Sequence, residues 1–176
     1  MNLRIKSIYP YAGLYYAVDI FGYASHGVPG LEIVGMGKNG RAIKEKFIFL
    51  SRALNLKIPK RRFVICLEES LDGKKFKEDE YRYLELPMLI LFWTLAGQLP
   101  FQTLEDCFCS GKIGINLEVD CLKLNQALQY QLKDILLLDD DMDLKYISSD
   151  HDEIIDEHFH ISIEGVMASL SEISRT

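Results

Sequence analysis

The segment Gly35-Met36-Gly37-Lys38-Asn39-Gly40 has the spacing of a glycine-rich phosphate cradle, in which free helix-terminal amides meet an anionic ligand. It follows an apolar run and precedes a helical pattern, as a dinucleotide fingerprint should. Such a site also needs an acidic residue about 20 positions further on to hold the ribose, and the chain around Asn55 and Leu56 offers none. Gly35 and Gly40 match the glycines of a P-loop, but Arg41-Ala42 stands where Lys and Ser or Thr must reach phosphate and Mg²⁺. The expected role is a tight strand-to-helix turn, with neither ATP nor NAD as cofactor.

The second chemical feature is a basic segment. From Lys38 to Arg62 nine Lys and Arg residues face a single Glu45. Clustered cations bind phosphates or acidic surfaces through counterion release. The candidate contact residues are Lys38, Arg41, Arg52, Lys57, Lys60, Arg61 and Arg62. No aromatic interleaving or base-reading motif accompanies them, so an acidic partner, weak nucleic-acid contact and internal pairing with the rest of the chain all remain open.

Other reactive side chains form weaker patterns. The run Asp139, Asp140, Asp141 and Asp143, followed by His151, Asp152, Asp156, His158 and His160, lacks the glycine of a calcium-binding loop, so no metal is expected. Ser25 and His26 are adjacent without a third group to orient them. Cys66, Cys107, Cys109 and Cys121 include no CxxC pair, and Cys107 with Cys109 at i, i+2 suits one buried face of a strand.

The elements that must position these residues follow from periodicity. Leu3 to Gly22 is rich in β-branched and aromatic residues, with Tyr15–Ile20 as strand; Gly27–Gly30 supplies a turn and Leu31–Val34 a second strand, expected to pair antiparallel with the first. Ile43, Phe47, Leu50 and Leu54 recur at helical spacing, which predicts an amphipathic helix over 41–54 with a basic back. Arg62–Leu67 reads as an interior strand, 68–82 as a polar loop and 85–96 as a buried helix stopped by Gly97 and Pro100. Beyond these, a strand pair is expected at 107–111 and 113–117, a helix beginning near Leu122 to Gln129, a buried strand at 134–138, a last strand at 159–163 and a terminal helix marked by Val166, Leu170 and Ile173. The pattern predicts a single α+β domain over 1–176, a mixed sheet with helices packed on it.

Composition agrees with a folded chain: 176 residues, 48% hydrophobic and 26% charged, sufficient for a core without disulfide or metal staples. No apolar run reaches the roughly 18 residues that span a bilayer. Met1 to Pro10 lacks an apolar core and a small-residue cleavage site, so a cytoplasmic protein is expected. The net charge of −6 hides a split: through Arg62 there are eleven Lys or Arg against three Asp or Glu, and nine against twenty-three thereafter.

Several segments in order resemble the opening of the Mg-chelatase-like, ComM-type family of AAA+ ATPases. Val18-Asp19-Ile20 and Gly27-Val28-Pro29-Gly30-Leu31-Glu32-Ile33-Val34-Gly35 are similar to its VDI…GLPxFxIVGL pattern. Residues 41–54 resemble its basic helix, and Ile58-Pro59 with Arg61 to Leu67 resemble its FPxxRITVNLAPAD segment. Leu86-Pro87-Met88-Leu89-Ile90-Leu91 is similar to DLPIALGIL, Ala96-Gly97-Gln98-Leu99-Pro100 with Leu104-Glu105-Asp106 to SGQIP…LED, and Gly111-Lys112-Ile113 to GEL. The resemblance implies the Lon-like (ChlI-type) N-terminal domain of that family, with the fold of the Lon proteolytic domain and of ribosomal protein S5 domain 2. It also implies a place beside a hexameric AAA+ motor in proteins associated with natural transformation and DNA branch migration.

The departures bear on activity. Glu80-Tyr81-Arg82-Tyr83-Leu84-Glu85-Leu86-Pro87 replaces EGPAFDLP, and Cys66 to Leu71 replaces NLAPADL. In Lon-type proteases the serine nucleophile would align near Tyr83 and its lysine near Gln126, and neither residue type supplies that chemistry. The expected function is therefore a non-catalytic interaction or assembly domain. Its partner would be an AAA+ motor, another protein or a second copy of itself. A weak, non-specific nucleic-acid-binding module using residues 38–62 is the rival reading, and a small-molecule enzyme at the glycine turn a third.

Overall fold

Alternating apolar residues at the start of the chain build a long hairpin, β1 (Asn2–Tyr11) and β2 (Leu14–Ser25), paired antiparallel from Asn2↔Tyr23 to Tyr11↔Leu14. Ala12 and Gly13 join the strands with φ of 52° and 80°, the left-handed two-residue turn whose twist matches that of a hairpin. The structure, a computed structural model, describes residues 1–136, 143–152 and 160–173.

Beyond the hairpin come β3 (Gly30–Val34), α1 (Gly40–Ala53), β4 (Arg62–Leu67), a short 3-10 turn (Glu80–Leu84) and α2 (Glu85–Leu95). The smaller elements are β5 (Cys107–Phe108), β6 (Gly111–Ile113), β7 (Val119–Cys121), α3 (Gln126–Ile135), β8 (Lys145–Ser148), β9 (His160–Ser162) and α4 (Ile163–Ile173). Seven strands form one mixed sheet in the order β3-β4-β2-β1-β5-β8-β9, and β6 and β7 form a separate ribbon. The chain is thus α+β, with a mixed sheet and four helices among the described residues.

Helices α1 and α2 cover one face of the sheet. Ile43, Phe47 and Leu50 of α1 are buried at the spacing that puts them on one stripe. Every residue of α2 is buried, Glu85 included, so this helix is the centre of the core and not a surface element. Its close approach to β2 depends on Gly22, where a Cβ would lie 2.8 Å from the Ile65 side chain and 3.0 Å from that of Leu95. Trp93 Nε1 donates to Ser51 Oγ at 2.9 Å, and Ser51 Oγ donates to the Phe47 carbonyl at 2.7 Å, tying α2 to α1.

On the opposite face α3 packs through Leu128, Leu132 and Leu136 against Ile8, Phe108 and Leu144. Asn125 caps this helix, its side-chain oxygen accepting from Leu128 N at 2.8 Å. The remainder of that face, towards β3, keeps Phe21 and Val34 in solvent, 39% and 46% exposed.

Four expectations are corrected. The strands Tyr15–Ile20 and Leu31–Val34 do not pair: β2 pairs antiparallel and β3 parallel with β4, which lies between them. β5 pairs in parallel with β1 and β8, and the antiparallel partner of β6 is β7, with Ile113 opposite Val119. Residues 134 and 135 of the expected strand at 134–138 are helical, because Leu128, Leu132 and Leu136 recur every fourth residue against one cluster; residues 137 and 138 lie outside the described residues. The loop at 68–82 ends in the 3-10 turn that leads into α2. Asp139, Asp140, Asp141, Asp156 and His158 also lie outside the described residues. Among those described, no helix is long and apolar enough to cross a membrane.

Candidate functional site

The glycine turn is closed from outside by the following loop. Gly35 and Gly37 take φ of 102° and 57°, a short 3-10 turn spans Gly37–Asn39, and the Leu71 amide donates to the Gly35 carbonyl at 2.7 Å. A Cβ on Gly37 would collide with Asp72 Oδ1, so a carboxylate sits where a phosphate cradle would need to receive an anion. Like charge at that point opposes nucleotide binding, and the glycines are explained by backbone conformation and by the closeness of Leu67 and Asp72.

The loop is held by a second contact that spacing did not reveal. Lys74 Nζ donates to Tyr9 Oη at 3.0 Å and lies 5.4, 5.0 and 5.2 Å from the ring centroids of Tyr9, Tyr11 and Tyr16. Phe76 closes the group edge-on to Tyr9 and Tyr11. The hydrogen bond to Tyr9 is the leading cause that raises the Lys74 pKa. The alternation of Tyr9 with Tyr11 was the available signal, and its partner 63 or more residues away was not.

The positions aligned with a protease dyad do other work. Tyr83 is half-buried with Lys112 Nζ 4.6 Å from its ring centroid, and Gln126 begins α3 in solvent. The hydroxyls of the buried Ser7 and Ser110 donate to the carbonyls of Cys109 and Ile8 at 2.7 and 2.8 Å. The four cysteines are unpaired, and Cys107, Cys109 and Cys121 are buried. Burial pushes the Cys107 and Cys121 thiols up to about 12 and Cys109 well up, so all three stay neutral at ordinary pH.

The basic segment divides three ways. Lys46 is drawn inward: its Nζ lies 2.6 Å from Glu85 Oε2 and donates to the Ile113 carbonyl at 3.0 Å. Arg82 Nε and the Ile113 amide complete the shell of Glu85 at 3.0 and 3.1 Å, and Glu85 is only 1% exposed. Arg62 is held in a two-point contact by Glu32, Nε to Oε1 at 3.1 Å and Nη2 to Oε2 at 2.9 Å; its pKa is raised, chiefly by that hydrogen bond. Lys38, Arg41, Arg52, Lys57 and Lys60 are exposed.

Most of the remaining cations meet along one line, between α1 and the outer side of β3. At the start of β3 a pocket of about 350 Å³ has Arg52, Lys60 and Arg61 beside Ile48, Leu56, Ile58, Pro59, Phe63 and Phe92. At the end of β3 a shallower recess is lined by Ile33, Val34, Arg41, Lys44 and Glu45. Leu31 borders both, so the two recesses adjoin; cations alone rim the pocket at the start of β3, whereas Glu32 and Glu45 offset Arg41 and Lys44 at its end. Arg61 Nε is buried in this region without a hydrogen-bond partner, a state that a native protein seldom leaves uncompensated. Lys38 and Lys57 do not line the groove. Ile48, Leu56 and Ile58 were absent from the sequence-derived site because their helical and loop spacing is that of ordinary core residues.

No protein-family model matches the chain, and no curated protein matches it either.

Proposed function

We propose that this chain is a non-catalytic interaction and assembly domain whose docking site is the groove between α1 and β3, and that its partner is an acidic protein segment carrying apolar side chains. The observation that carries this reading is the buried, unpartnered Nε of Arg61 in a pocket that Arg52 and Lys60 also line. A carboxylate entering the pocket meets the exposed Arg52 and Lys60 and lies beside the Arg61 side chain that also lines it, the charge-assisted pairing that cations favour. The apolar floor favours a protein ligand over a phosphate backbone, which needs cations but no greasy pocket.

The reading fits the place implied by the resemblance to Mg-chelatase-like proteins, as a Lon-like N-terminal domain positioning an AAA+ motor or another partner in DNA processing. A nucleic-acid-binding module is the second reading, favoured by the exposure of Lys38, Arg41 and Lys57.

Fluorescence anisotropy at low salt separates the two. A labelled peptide of alternating Glu and Leu should bind saturably and lose binding in an Arg52→Glu, Lys60→Glu variant. Single- and double-stranded DNA should bind no better than non-specifically, roughly 10⁻⁴ to 10⁻⁶ M at physiological salt. DNA binding tighter than the peptide, and lost in the same variant, moves the conclusion to the nucleic-acid reading; silence from both ligands removes the interaction reading.

A further inference from the structure

We infer that the groove receives its ligand as an added strand: an extended acidic peptide pairs its backbone with the outer edge of β3 and lays alternate side chains against α1. This rests on the acidic-partner reading above and specifies how that partner is held.

Three observations carry it. First, β3 is the terminal strand of the sheet, paired in parallel with β4 alone, and among the described residues no strand lies on its other side. Second, the Gly30 amide donates to the Arg61 carbonyl at 3.1 Å. Alternation along a strand therefore turns residues 30, 32 and 34 towards β4 and presents the Leu31 and Ile33 amides at the open edge. A row of such groups is a template for β-augmentation. Third, the wall facing that edge is a helix bearing cations at both ends of the strand: Arg41 and Lys44 near its end, Arg52 near its start.

The spacing of the wall sets the ligand's pattern. Arg41 and Arg52 are eleven residues apart on α1, about 16 Å along the axis. Two acids four residues apart in an extended peptide are separated by about 13 Å, a gap that flexible arginines close. The side chain midway between them points the same way and falls over Ile48. The matching sequence is thus acid–x–apolar–x–acid. Glu45 on the helix and Glu32 on the strand both line the end near Arg41 and weaken it, so the acid nearer Arg52, Lys60 and Arg61 contributes more.

The test uses the full chain and a fluorescein-labelled Thr-Glu-Thr-Leu-Thr-Glu-Thr peptide with blocked ends. Two further versions carry N-methyl groups on alternate amides, one in each phase. If the peptide adds as a strand, the phase facing β3 binds at least about tenfold more weakly while the other phase binds like the parent, since only the first removes donors from the ladder. In the protein, Ile33→Pro removes an outward amide and should weaken the parent peptide similarly, whereas Ile33→Val should not; proline is tolerated where an edge amide faces solvent. If Ile33→Pro fails to fold by circular dichroism, the two methylated phases still decide. Binding abolished by Arg52→Glu, Lys60→Glu but indifferent to both methylated phases overturns strand addition and leaves the acidic-partner reading standing. No saturable binding of the parent peptide overturns both.

Discussion

Lys46 and Arg52 leave the same helix less than two turns apart, and the fold uses them in opposite ways. Lys46 is sealed against a carboxylate that is 1% exposed, while Arg52 stands in solvent at the mouth of an apolar pocket. One charge belongs to the folding of the chain and the other is available to a ligand. A count of cations along residues 38–62 cannot make that distinction, because it is decided by Glu85 and Ile113, residues 39 and 67 positions away from Lys46.

The largest effect should come from the inward charge. Glu85→Ala strips Lys46 and Arg82 of their shared counter-ion and frees the Ile113 amide, so unfolding in urea should show a loss of about 3–5 kcal/mol. A loss under about 1 kcal/mol would mean that these cations find water when Glu85 is removed, and the contrast with Arg52 would disappear.

The outward charges should show the reverse profile. Arg52→Glu with Lys60→Glu is expected to cost at least about tenfold in affinity for an acidic peptide. Each change should move stability by no more than about 0.5 kcal/mol, the usual range for exposed sites. Matched denaturation and binding measurements test both halves; a large stability loss would place these residues with Lys46.

Thiols sort by the same division between inward and outward. Cys107 and Cys121 have pKa values pushed up to about 12, above the ordinary value of 9, mainly by burial. A raised folded-state pKa contributes stability that is fully present below pH 9 and is lost as pH rises towards 12. The urea midpoint should fall progressively across that window. At pH 8, iodoacetamide on the native protein should modify the half-buried Cys66 well before the other three, as read by mass spectrometry; simultaneous labelling of all four would contradict the buried cluster.

The smallest effect belongs to the exposed pair. Glu32→Gln releases Arg62 and should leave the unfolding midpoint within experimental error, because exposed ion pairs are weak and screened. A clear drop would show that this pair fastens β3 to β4.

Much of the scaffold could be read from residue order. The run Arg62–Leu67 begins and ends where β4 does, since six consecutive strand-forming residues follow a proline-terminated connection. Helix α1 differs from its expected span by one residue at each end, because Ile43, Phe47 and Leu50 make the period unambiguous. The β1–β2 hairpin was not separable in advance: its turn is Ala12-Gly13, without the Asn or Asp that signals a left-handed pair, and aromatic residues run up to the turn from both sides. Sheet neighbours were harder still, because β3 reaches β4 by crossing over α1 and only then does β2 close the other side. The groove was half legible. Its cations stand out in the sequence, but the edge they line exists only once β3 is placed at the end of the sheet.

Lys74 alters what the surface offers to chemical reagents. Its nitrogen donates to Tyr9, is flanked by three aromatic faces and has a raised pKa, so the free-base form that attacks an active ester is scarce and shielded. Its neighbours Lys75 and Lys77 are exposed. Within four residues the loop therefore holds two amines suited to acylation and one that is protected. A probe attached there reports from the rim of the tyrosine cluster without dislodging the lysine that fastens the loop over the glycine turn.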